Sequence, residues 1–167
     1  GIHFTEKDIR GLINQISSKE VEENEQTRKT GRFGTGFLTT HLLSRVIQIR
    51  GVLKSENDQF YRFKFPLDRT GKTMRELAPK IEKAWSKFHK SVLEVNHNDY
   101  NINECNTSFC YSLITSEQQE VAKTGIDEFT KLLPYVLAFI PKIKSIQIID
   151  NTRDTDVLFL NNNNRLD

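Results

Sequence analysis

Eight residues, Thr30-Gly31-Arg32-Phe33-Gly34-Thr35-Gly36-Phe37, run directly into the apolar stretch Leu38-Thr39-Thr40-His41-Leu42-Leu43. This junction limits the possible folds more than any other part of the chain. Three closely spaced glycines let the backbone turn tightly and leave its N–H groups open, and the apolar run predicts the first turns of a buried helix. A helix start preceded by glycines aims unsatisfied N–H groups and the positive end of a dipole at an anion, most often phosphate. The order is G-x-x-G-x-G with no Lys-Ser or Lys-Thr after it, which excludes a P-loop. Residues 20–29 are almost all polar or charged, so no strand precedes the glycines and a dinucleotide fingerprint is excluded too. The structural alternative is a set of glycines that only permits close packing at the start of a helix.

On either side of this junction the hydrophobic spacing predicts alternating helices and strands. Thr5 is a good N-cap, Asp8 completes an approximate capping box, and Ile9, Leu12, Ile13 and Ile16 make the stripe of a helix running to about Ile16. Residues 17–29 are polar and aperiodic and read as a mobile loop. After the glycines, Phe37, Leu38, Leu42 and Leu43 recur at helical spacing, and Ser44-Arg45 ends that helix. Residues 46–53 and 60–65 read as two strands joined by a hairpin turn, the second alternating aromatic with basic side chains (Phe60-Tyr61-Arg62-Phe63-Lys64-Phe65). That alternation also suits stacking on single-stranded bases, but the adjoining turn favours a half-buried sheet partner.

Residues 66–72 read as a turn-rich connection. Met74, Leu77, Ile81, Ala84, Trp85, Phe88, Val92 and Val95 then step by three or four as one long amphipathic helix, in which Pro79 is either a kink or the true first turn, near Ala78. An Asn-rich loop (96–106), a strand (107–114) and a helix capped by Ser116 and interrupted at Gly125 follow. Pro134 opens a short apolar piece to Phe139, and strands at 143–149 and 154–160 lead to Asn161-Asn162-Asn163-Asn164, an unstructured tail.

With 167 residues and 37% hydrophobic content, a single domain is expected. The 24 basic and 22 acidic residues leave a net charge of +2, which does not point to nucleic acid as a main partner. No apolar run approaches the roughly 20 residues needed to span a bilayer and no signal peptide is seen, so no membrane partner and a cytoplasmic location are expected. Cys105 and Cys110 read as free thiols, and the four scattered histidines as surface or helix residues rather than metal ligands.

The segment Gly31-Arg32-Phe33-Gly34-Thr35-Gly36-Phe37 resembles the second glycine box of the GHKL ATPase superfamily, which covers the gyrase B subunit, heat-shock chaperone ATPases, histidine kinases and MutL. In the chaperone branch this box is typically G-Q-F-G-V-G-F, and five of its seven positions match here. Gly1-Ile2-His3-Phe4-Thr5 looks like the later part of the first box, D-x-G-x-G, with Gly1 as its first glycine and His3 in place of the second. Ser18 and Lys19 resemble the Ser/Lys positions of the family's ATP lid, although a solvated loop with an incidental lysine explains them equally well. Thr107 matches the Thr of a strand that begins G-T, with Asn106 where Gly is usual.

The resemblance implies an α/β fold, a two-layer sandwich of helices on a mixed, mainly antiparallel sheet (the GHKL or Bergerat ATP-binding fold, N-terminally truncated). Residues 1–150 would form the ATP-binding domain without its first helix and strand, and residues 151–167 a terminal strand and Asn-rich tail leading to a following domain. It also implies an ATP site made of Gly1, Ser18, Lys19, Gly31, Arg32, Phe33, Gly34, Thr35, Gly36, Phe37 and Thr107, with Arg32 adding charge and the box amides holding the β- and γ-phosphates. The family's catalytic Glu and its Mg²⁺-binding Asn precede the first box, so neither is expected in this chain, which opens on Gly1 and has Met only at 74. Mg²⁺-dependent hydrolysis would then belong to a longer parent similar to bacterial sacsin- or MORC-like proteins, and this chain alone would bind ATP weakly or not at all. Partners implied are nucleotide and the rest of that polypeptide; a nucleotide-dependent homodimer is compatible with the family. The alternative is a non-catalytic interaction module that keeps the fold without nucleotide, which His3 and Asn106 favour.

Overall fold

The computed structural model describes residues 1–14, 40–96 and 99–161. They are helices and antiparallel strands of an α/β protein, arranged as two compact units, Gly1–Ile114 and Thr115–Asp167.

The first unit is built on a four-stranded sheet in the spatial order β3 (Leu93–Val95), β2 (Phe60–Asp68), β1 (Val46–Lys54) and β4 (Ser108–Tyr111), every neighbour antiparallel. Strands β1 (Val46–Lys54) and β2 (Phe60–Asp68) form a hairpin in which Ile47 faces Leu67, Ile49 faces Phe65, and Gly51 faces Phe63. The period-2 alternation places these side chains on one face, where they are buried, and leaves Arg50, Arg62 and Lys64 exposed on the other. Asp58 takes the left-handed conformation (φ 59°) at the hairpin turn, and its carboxylate meets Lys54 at 2.6 Å. The second strand is longer than expected. Pro66, Leu67 and Asp68 continue it rather than opening a turn, and Pro66 pairs with Gln48 beyond the reach of β3, whose partners are Phe60 to Arg62. There the missing N–H of proline faces no strand on its outer side.

Two helices cover the buried face. Helix α1 (Glu6–Asn14) starts at the expected cap, with Asp8 N–H donating to Thr5 Oγ1 (3.2 Å) and Thr5 N–H donating to Asp8 Oδ2 (2.9 Å), and it buries Ile9 and Ile13. Helix α2 (Met74–Ser91) is capped by Thr73 and buries Ala84 and Phe88, while Ile81 and Trp85 pack beside them. It starts at Met74, which is 71% exposed, and runs through Pro79. It also ends sooner than the hydrophobic spacing predicts. Val92 is its C-cap, and Leu93–Val95 form strand β3, pairing with Phe60, Tyr61 and Arg62. Val92-Leu93-Glu94-Val95, with β-branched residues at both ends, serves a strand as readily as a helical stripe, and the open edge of β2 decides between them.

Strand β4 (Ser108–Tyr111) pairs with Ile47 to Arg50 and is shorter than the expected 107–114. Phe4 adds an isolated parallel bridge farther along β1, accepting from Lys54 N–H (2.9 Å) and donating to Val52 O (2.7 Å). The expected helix at 37–43 is described from residue 40 onward. Thr40–Leu42 is a single 3-10 turn, with Leu42 88% exposed, rather than the last turn of a buried α-helix.

The second unit holds one 24-residue helix, α3 (Ser116–Phe139), and the antiparallel hairpin of β5 (Ser145–Asp150) and β6 (Thr155–Leu160). Thr115, not Ser116, is the N-cap, in a capping box with Gln118. The helix passes unbroken through Gly125 and Pro134, so the expected interruption and separate apolar piece are one element. Asn161 is ordered rather than part of a tail: its N–H donates to Lys144 O, and its side-chain amide donates to Leu137 O (2.9 Å) and Ile143 O (3.0 Å). Arg153 makes a two-pronged contact with Asp127 (2.7 and 3.0 Å), tying the hairpin turn to α3.

Candidate functional site

Of the expected nucleotide-contacting residues, Gly1 and Thr107 fall within the described part of the chain. Ser18, Lys19, Gly31, Arg32, Phe33, Gly34, Thr35, Gly36 and Phe37 lie outside it.

The sequence separates Gly1 from Thr107 by most of the first unit, and the fold brings them to within one residue of each other. Gly1 N donates to the carbonyls of Ile102 and Glu104, and Gly1 O accepts from Tyr100 Oη (3.1 Å) and Asn106 Nδ2 (3.1 Å). A side chain at position 1 would crowd this seat, since a Cβ there would stand 3.2 Å from Glu104 O. Asn106, directly before Thr107, shares its two amide hydrogens among Gly1 O, Asn101 O (2.8 Å) and Glu104 O (3.3 Å). It is the staple that closes residues 101–106 onto the N-terminal segment. Thr107 is half-buried at the foot of β4.

His3 stands where the resembling box has glycine, and its ring fills an aromatic corner. It meets Phe60 and Tyr100 edge-on at centroid distances of 5.7 and 5.8 Å, and Phe60 stacks on Tyr100 at 4.3 Å. His3 Nδ1 lies 3.2 Å from Tyr100 Oη.

At the far end of α1 lies a residue that no sequence motif singles out. Arg69, 7% exposed, donates from Nη2 to Leu12 O (3.2 Å) and to Ile13 O, while its own N–H donates to Arg45 O (2.7 Å). A guanidinium at the carbonyl end of a helix satisfies orphan acceptors and opposes the negative end of the dipole. Trp85 Nε1 donates to Asn14 Oδ1 (3.1 Å), so the last turn of α1 is held both from the residue that follows β2 and from α2. Burial lowers the Arg69 pKa, with the Asp68 carboxylate opposing that effect. Burial also holds the half-buried His41 below its ordinary value; the Arg69 charge adds to this, and a backbone hydrogen bond at Ser44 opposes it. The sequence signal for Arg69 was weak because Asp68-Arg69-Thr70 reads as an ordinary polar turn.

Among the described residues no group of three or more His, Cys, Asp or Glu side chains is placed to hold a metal ion, and none of their helices is long and apolar enough to cross a membrane. Cys105 and Cys110 are exposed free thiols. Comparisons with protein-family models, with curated proteins and with solved structures find no match to this chain.

Proposed function

We propose that this chain is part of a GHKL-type ATP-binding domain. The observation that carries the reading is the box Gly31-Arg32-Phe33-Gly34-Thr35-Gly36-Phe37, whose glycines and phenylalanines match the family's second box. Supporting it are the hairpin of β1 and β2 that follows the box, the packing of α1 and α2 on one face of an antiparallel sheet, and the Asn106 bond that joins Gly1 to the start of β4. In this reading the box amides receive the β- and γ-phosphates and Arg32 adds charge. Gly1 contributes shape rather than a hydrogen bond, since its nitrogen and carbonyl are engaged within the chain. Mg²⁺ would enter with the triphosphate and offset its charge.

The test is amide NMR of the chain titrated with a non-hydrolysable ATP analogue and Mg²⁺ to millimolar concentration, which detects weak binding. Shifts at Gly31 to Phe37 that vanish in Gly34→Val are the expected result. A titration that leaves those amides unmoved would remove the nucleotide from the proposal. A second reading, an interaction module that keeps the fold without nucleotide, is favoured by His3 and Asn106. Both stand where the family has glycine, and both are committed to contacts within the protein.

A further inference from the structure

The sheet face turned away from α1 and α2 carries a concentration of positive charge that the near-zero net charge conceals. Arg50 on β1 is the direct cross-strand partner of Lys64 on β2, and Arg62 follows two residues from Lys64 on the same face, about 6.8 Å along the strand. All three are exposed. Like charges set directly opposite one another destabilise a sheet. Among the described residues, none of the three has a carboxylate partner: Lys54 on the same face is neutralised by Asp58, and Asp68 at its end is held by Lys80. Gln48 and Ser108, flanking Arg50 along β1 and across to β4, add neutral hydrogen-bonding groups.

We propose that this face binds the phosphate backbone of single-stranded nucleic acid, independently of base sequence. Phosphate contacts need only charge and donors, which the face supplies. An acidic peptide would need an apolar anchor as well, and among the described residues of the sheet the cations have beside them one exposed apolar side chain, Leu93 opposite Arg62. A flexible strand can follow three cations grouped on a twisted sheet, whereas a duplex, stiff over about 150 base pairs, meets such a patch only in passing. The half-buried Phe60 is already stacked on Tyr100, so the face offers contact to phosphates rather than a platform for bases.

Fluorescence anisotropy of the 167-residue chain with a labelled mixed-sequence 20-nucleotide DNA strand, between 50 and 200 mM salt, tests this. Three neutralised phosphates predict a slope of log K against log salt of about −2 and a loss of affinity of about 20-fold across that range. Arg50→Gln with Lys64→Gln should reduce the slope to about −0.7, and Arg62→Gln alone to about −1.4. Because both variants remove like-charge repulsion, their melting temperatures should equal or exceed that of the parent chain. No binding at 50 mM salt, or a slope that the substitutions leave unchanged, would overturn the proposal. Displacement of the strand by polyglutamate as effective as by unlabelled DNA would also overturn it and reassign the face to acidic protein segments.

Discussion

Gly51 is where a single missing side chain matters most. A Cβ at this position would lie 2.6 Å from the Phe63 ring and 2.8 and 2.9 Å from the Phe4 ring, which meet each other edge-on at 5.4 Å. Gly51→Ala should therefore destabilise the chain by about 1–3 kcal/mol, the usual cost of overpacking a filled core. A urea midpoint equal to that of the parent would show that the two rings move aside instead. His41 gives a second residue-scale prediction. Its folded-state pKa lies below the unfolded value, so below about pH 6.5 the unfolded chain takes up a proton that the folded chain resists. Its contribution to stability is complete above that pH and is lost as pH falls toward the folded value. Urea midpoints should accordingly decline from pH 7.5 to 5.5, and the slope should be shallower in His41→Gln.

For the elements, the informative cases are those where tertiary pairing overrode local pattern. Gly125 lies in the middle of α3 and nothing stands within 4 Å of a Cβ built there. Gly125→Ala should stabilise the helix by about 1 kcal/mol, read as a higher melting temperature. The sequence treated this glycine as a break because propensity alone cannot see that the flanking turns are held by the Thr115 cap at one end and by packing of Leu133 and Leu137 at the other. The hairpin of β1 and β2 was legible because aromatic and basic residues alternate with the pleat. The capping box of α1 was legible because Thr5 and Asp8 have a fixed spacing. Pro66 and Val95 were misassigned for one reason: their state depends on whether β2 has a neighbour at that point, and nothing nearby in the sequence carries that information. Within the candidate site, Gly1, Asn106 and Thr107 were singled out by their motif positions, whereas the contacts of Tyr100, Asn106 and Arg69 are made far along the chain and no local pattern carries them.

Across the whole molecule, the ten residues of the main core cluster, from Ile9 to Phe88, all belong to the first unit. A chain of residues 1–114 should therefore keep a cooperative thermal transition and dispersed amide resonances. Loss of both would show that residues beyond 114 are needed to hold that core. Charge is distributed unevenly at this scale as well. A net value of +2 coexists with three cations on one face of the sheet that have no carboxylate partner among the described residues, which is why composition gave no warning of that face.

One edge of β1 is shared by two tenants. The antiparallel strand β4 occupies it from Ile47 to Arg50, the parallel segment at Phe4 occupies it from Val52 to Lys54, and Gly51 lies at the seam. Such a border can come undone by halves. Losing the two Phe4 bonds would leave β4 laced to its own stretch and Gly1 still tied to Ile102, Glu104 and Asn106, so the N-terminal strip is moored at two independent places and the loss of one does not release the other.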